Sequence, residues 1–129
     1  MIELTTGINW SAVVVAAAIS FIAGWLWYSP RLFGQKWARA ANVTLDETPP
    51  VAAMAMHFSG MVLLSWFIGI MARKGLLAAT FLLMIAGAVL GYATDGYLRI
   101  RAEGKLINAG YWMAMILIMV AAQALVARP

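Results

Sequence analysis

The chain has no cysteine. Disulfides, thiolate metal sites and cysteine nucleophiles are therefore excluded, and the redox compartment is left open. Histidine occurs once, at His57, so no paired-histidine metal motif exists. One histidine with one nearby acid supplies too few ligands for a closed zinc site unless subunits combine. No glycine-rich phosphate loop follows a strand, and no nucleophile elbow is present. With no catalytic motif, neither enzymatic activity nor a cofactor is expected. Charge is scarce as well: 11% of the 129 residues are charged, against about 25% in a soluble domain.

The few charges are segregated. Residues 4–30, 48–72, 75–94 and 106–127 contain no Asp, Glu, Lys or Arg. A bilayer core about 30 Å thick is crossed by about 20 apolar residues in a helix. Overall, 64% of residues are hydrophobic and the mean hydropathy is +0.87, more apolar surface than a soluble fold of this size can hide. The runs are too long and too continuously apolar for barrel strands, which alternate. The expected fold is all-α: a four-transmembrane-helix bundle in a single integral membrane domain, 1–129, with spans at about 9–28, 51–71, 76–95 and 107–127. Those spans leave no room for a separate soluble domain. Glu3 stands where a signal peptide favours a basic residue, and the first run continues through Trp25 and Tyr28. An uncleaved first span is expected rather than a removed signal.

Local signals set the connections. Pro30 stops or kinks span one. Thr48 is the expected N-cap of span two, with Pro49-Pro50 suited to its first turn, and Ala72-Arg73-Lys74-Gly75 reads as a tight turn. Between spans one and two, Phe33, Trp37, Ala40 and Ala41 share one helical face, and Arg31, Gln35, Lys36 and Arg39 the other. This pattern predicts a short interfacial amphipathic helix, with a solvated loop as the plainer alternative. The basic residues flank spans, so the net charge of +4 points to membrane lipids as partners and not to nucleic acid. Arg31, Lys36, Arg39, Arg99, Arg101 and Lys105 outnumber Arg73, Lys74 and Arg128. Loops 31–48 and 96–106 are thus expected in the cytoplasm and both termini outside. Trp10 near one interface, and Trp25, Trp27, Tyr28, Tyr92 and Tyr97 near the other, suit aromatic anchoring.

Three strings share a recognisable order: Ile8-Asn9-Trp10; Trp27-Tyr28-Ser29-Pro30-Arg31-Leu32-Phe33-Gly34-Gln35-Lys36-Trp37; and Ile107-Asn108-Ala109-Gly110-Tyr111. Together they resemble the small bacterial membrane family catalogued as domain of unknown function 1761, over essentially the whole chain. The resemblance implies a bacterial inner-membrane protein with a four-helix core. It implies no reaction and no catalytic residue.

Small residues recur every fourth position: Ala12, Ala16, Ser20 and Gly24 on span one, Gly87 and Gly91 on span three. In lipid such stripes mark helix–helix contact faces, because small side chains let backbones approach. Contact within one chain and contact between chains are equally compatible with the pattern. Continued by fours, the stripes reach Tyr28 and Asp95. His57 lies roughly 9 Å along span two from Val51, and Asn108 and Tyr111 open span four. Tyr28, His57, Asp95, Asn108 and Tyr111 are therefore expected to converge in the inner half of the bundle. Two readings stand side by side. In one, His57 shares a proton with Asp95 in a relay or cation site. In the other, Asp95 is solvated or paired with Arg99, His57 donates to a backbone carbonyl, and Asn108 caps span four. Gln123 and Asn9 form a smaller polar pair near the opposite face, and Met54, Met61, Met84, Met115 and Met119 read as adaptable packing residues.

The functional expectation is a structural, accessory or self-associating membrane protein, in a homo-oligomer or a larger membrane complex. The alternative is a small oligomeric transporter or channel, proton-coupled through His57 and Asp95. A ligand-binding inner pocket ranks last.

Overall fold

The computed structural model describes residues 2–45 and 50–128. It is helical throughout, with no strand among the described residues. Helix α1 is a single turn, Ile2–Thr5; α2 spans Trp10–Trp27, α3 Gly34–Ala41, α4 Val51–Arg73, α5 Thr80–Tyr97 and α6 Ala102–Leu125, with a 3-10 turn, Leu77–Ala79, ahead of α5. Four of these helices are long and apolar enough to cross a membrane. The expected cap at Thr48 and the first proline of Pro49-Pro50 lie outside the described residues.

Local chemistry explains most boundaries. Asn9 caps α2: its Oδ1 accepts from Ala12 N at 3.2 Å, satisfying one of the donors a helix start leaves open. Helix α4 ends in a reversal at Gly75, whose φ of +71° suits glycine; Leu76 N donates back to Met71 O at 2.7 Å. Asn42 (φ 56°) ends α3 and Arg99 (φ 59°) follows α5 with the same left-handed reversal. Val43 N donates to Ala38 O at 2.9 Å and Ile100 N to Asp95 O at 3.0 Å.

Four boundaries differ from the sequence reading, one of them in span three, where α5 runs Thr80–Tyr97 behind the 3-10 turn instead of 76–95. The turn α1 was not foreseen; Arg73 Nη2 donates to Glu3 O at 3.0 Å and Trp66 Nε1 to Leu4 O, which ties it to α4. Helix α4 runs on to Arg73. Helix α6 begins at Ala102, well before the expected 107, because its first turn protrudes past the apolar run and docks on α3. Arg101 N donates to Ala40 O at 3.1 Å, Arg101 Nη2 donates to Arg39 O at 2.9 Å, and a Cβ at Gly104 would press on Ala40 at 2.8 Å. The amphipathic helix is present as α3, with Arg31, Gln35, Lys36 and Arg39 exposed. Its inner face is Gly34, Ala38 and Ala40, with Trp37 half-buried, and part of that face rests on α6.

Helix α6 is the central element. It packs against α2, α3, α4 and α5, while α2 also packs on α4, and the main contacts of α5 are α6 and its own 3-10 turn. Helices α2 and α6 are antiparallel: Asn9 Nδ2 reaches Val126 O at 2.9 Å at one end, and Trp27 Nε1 reaches Ile107 O at 3.0 Å at the other. Ala16, Met61, Ile68, Met84, Tyr111, Met115, Ile116, Met119 and Ala122 form the core. Its methionines fill the irregular space between small and branched neighbours, as their flexible thioether chains allow.

Candidate functional site

The end that carries α3 gathers most of the polar side chains inside the helices. Tyr28 caps the C-terminus of α2. Asp95 lies in the last turns of α5, while His57, Asn108 and Tyr111 lie a turn or more into α4 and α6. Because neighbouring helices alternate in direction, these sequence-distant positions fall at one end.

They form a connected line across the four helices. Asn108 Nδ2 donates to Asp95 Oδ2 at 2.8 Å, and its Oδ1 accepts from Tyr28 Oη at 2.6 Å. The rings of Tyr28 and Tyr111 meet edge to face, with centroids 5.5 Å apart. Tyr111 Oη donates to Ser20 O at 3.2 Å and lies 3.3 Å from His57 Nε2. A phenol has one proton. When that proton goes to Ser20 O, His57 Nε2–H donates to the phenol oxygen; when His57 Nε2 carries no hydrogen, the phenol donates to it instead.

All five predicted polar residues meet in this line, but His57 and Asp95 do not meet each other. The expected direct proton-sharing pair is replaced by Asp95–Asn108–Tyr28 on one side and Tyr111–His57 on the other. Asn108 is no cap, since Arg101 precedes α6 and places Asn108 inside the helix. Asp95 takes an amide partner, and His57 takes a phenol where a carbonyl was the plainer expectation. The Asn9–Gln123 pair is not formed: Asn9 serves Ala12 and Val126, and Gln123 Nε2 is buried without a hydrogen-bond partner.

The small-residue stripes divide. Ala12, Ala16 and Ser20 are fully buried, and a Cβ at Gly24 would overlap the Tyr111 hydroxyl. A Cβ at Gly87 would overlap the Trp112 indole, whose Nε1 donates to Met84 O at 2.9 Å. A Cβ at Gly91 would meet nothing within 4 Å among the described residues.

Several fasteners escape a sequence reading. Ser65 Oγ is buried and donates to Val13 O at 2.8 Å. Three indoles, Trp27, Trp66 and Trp112, donate to backbone carbonyls of other segments. Trp27 is thus a tie between helices as well as a boundary aromatic. A carbonyl already in a helix has a second lone pair to accept with. The available signal is a large aromatic placed to face a glycine, as Trp112 faces Gly87, but sequence alone does not say which pairs meet.

The longest string, Trp27 to Trp37, is a folded corner. Phe33 N donates to Trp27 O and Gly34 N to Ser29 O, each at 3.0 Å. A Cβ at Gly34 would overlap the Tyr28 carbonyl oxygen, so only glycine lets α3 fold back this tightly. Phe33 lies tilted against Trp27 with centroids 4.9 Å apart, and Trp37 meets Tyr28 edge to face at 5.6 Å. The corner therefore positions Tyr28 for Asn108.

Four apolar helices tied by amide, phenol and indole hydrogen bonds define a membrane-embedded protein with several spans. Its sequence places it further. The chain belongs to the family described as "Protein of unknown function (DUF1761)", which it matches over residues 11–123. That match covers the corner, the polar line, α4 and α5 whole, and all but the outermost residues of α2 and α6. No curated protein and no solved structure matches the chain.

Proposed function

We propose that this protein is a self-associating or accessory component of a membrane complex. The observation that carries the reading is the state of its glycines. A Cβ at Gly24, Gly34, Gly69, Gly87 or Gly104 would press on another part of the chain, whereas one at Gly60 on α4 or Gly91 on α5 would meet nothing within 4 Å among the described residues. A glycine inside a helix costs roughly 1 kcal/mol relative to alanine, and a bare one offers lipid no side chain to touch. Close approach of another helix supplies the missing contact. Ala52, Ala53, Ala55 and Ser59 are exposed on the same half of α4, which extends the small-residue surface around Gly60.

The polar line favours this reading over transport. It runs from helix to helix at one end and does not continue along their length; beyond Tyr111 the core is Met115, Ile116 and Met119. Each hydrogen bond joins two helices or two segments, which suits fastening. The excess of basic residues at the α3 end favours a cytoplasmic position for that end in a bacterial inner membrane, with both termini outside. Absence of native cysteine makes single introduced cysteines a clean reporter. Labelling of Gln35→Cys by an impermeant maleimide in intact cells contradicts this orientation; labelling only after lysis supports it.

Self-association is tested by particle size in mild detergent and in lipid nanodiscs. Gly91→Leu and Gly60→Leu should shift the protein to a smaller species while leaving helix content intact. Unchanged size in both variants removes the proposed face.

A further inference from the structure

A groove between α3 and the start of α6 is used neither by the polar line nor by the exposed glycines. It encloses about 270 Å³ and is lined by Trp27, Phe33, Leu106 and Ile107, with Lys36 on one wall and Glu103 on the other. The tilted Trp27–Phe33 contact and the Trp27 bond to Ile107 O fix its apolar back. Both charged side chains are exposed. The basic residues beside Glu103 in sequence are engaged elsewhere: Lys105 Nζ sits 4.4 Å over the Tyr92 ring, and Arg101 Nη2 donates to Arg39 O. The groove therefore presents one cation and one carboxylate above an aromatic floor. It does so where α2 ends and the charged first turn of α6 begins, which is the depth of lipid headgroups.

We propose that this groove holds the headgroup of one zwitterionic phospholipid bearing a primary amine. Lys36 donates to its phosphate diester, and Glu103 accepts from its ammonium. The glycerol lies on Trp27 and Phe33, and the acyl chains continue into the bilayer past Leu106. The charge pattern selects among lipids. An anionic headgroup satisfies Lys36 but confronts the Glu103 carboxylate. A choline headgroup has the right charges but no N–H to donate, so it forgoes a charge-assisted hydrogen bond. The volume admits a headgroup and excludes a whole lipid. This site needs the membrane setting but not self-association, and it lies away from Gly60 and Gly91.

The test is lipid retention by native mass spectrometry. Delipidated protein is offered an equimolar mixture of phosphatidylethanolamine, phosphatidylcholine and phosphatidylglycerol with matched chains. Wild type should retain phosphatidylethanolamine about threefold to tenfold over either competitor, the range expected of one charge-assisted hydrogen bond at a partly exposed site. Glu103→Gln should bring phosphatidylglycerol level with or above phosphatidylethanolamine. Lys36→Gln should lower phosphatidylethanolamine retention by a similar factor. Helix content should hold in both variants, because both side chains are exposed. Equal retention of the three lipids by wild type overturns the site, and so does a preference that neither substitution alters. Stronger retention of phosphatidylglycerol by wild type overturns the role given to Glu103. Soluble glycerophosphoethanolamine in large excess carries the same headgroup and should lower phosphatidylethanolamine retention; no competition overturns the headgroup as the part recognised. If either variant fails to fold, the wild-type preference decides the matter alone.

Discussion

Along the seam between α2 and α6, small residues are filled from the other side. Gly24 lies under the Tyr111 hydroxyl, and a Cβ at Gly110 would come within 3.1 Å of the Trp27 ring. At Gly91 on α5 and over the first half of α4 the same residue types stand open. Among the described residues nothing lies within 4 Å of a Cβ built at Gly60 or Gly91, and of residues 51–60 in α4 only Met54 is partly covered. Both regions are apolar and helical, and lipid tails solvate either one equally well, so hydrophobicity does not separate them. Complementary shape and paired polar groups do. Where a glycine faces an aromatic ring and a polar atom finds a partner, the helices close. Where neither holds, they stay apart and a surface remains.

That contrast can be broken most severely at Gly24. Gly24→Leu drives a side chain into Tyr111, displacing the phenol from Ser20 and His57. The expected loss is about 3 kcal/mol, at the upper end of overpacking costs, read as a large fall in the thermal midpoint in detergent. A midpoint within a degree of wild type contradicts the seam as drawn. Next comes Asn108→Leu, which leaves the Tyr28 hydroxyl and the Asp95 carboxyl without partners. Hydrogen bonds between membrane helices average well under 1 kcal/mol, but stranding two polar groups raises the expected cost to about 1–2 kcal/mol. If thermal unfolding shows no loss of stability, the line is not a fastener. The smallest effect is expected at the open surface. Gly91→Leu should change the stability of the dissociated chain by less than about 0.5 kcal/mol, whereas Gly87→Leu, set against Trp112, should cost severalfold more. Equal costs at the two glycines would erase the distinction between the seam and the surface.

The polar line was legible in part. Helical rise and alternating direction bring Tyr28, Asp95, Asn108, Tyr111 and His57 to a common depth, because depth in a membrane follows from distance along each helix. Azimuth does not follow in the same way. Around each apolar helix almost every face is compatible with lipid, so the pattern could not say that Asn108 would stand between Asp95 and Tyr28, or that Tyr111 would stand between Tyr28 and His57. For the same reason, Asn9 and Gln123 shared an expected depth yet did not pair. Gly87 and Gly91 lie on one stripe and meet opposite fates, because only Gly87 has an indole opposite it.

Charge-free runs decided by themselves that this chain has four long apolar helices, since each residue's preference for lipid over water is set by its own side chain and adds along the sequence. Pro30, Asn9 and Gly75 likewise fixed local turns and caps through backbone chemistry that acts over a few residues. Which helix faces meet, which polar groups are joined, and which glycines stay bare were decided only when the helices came together. Those outcomes depend on the fit between two surfaces, and no single segment carries that information.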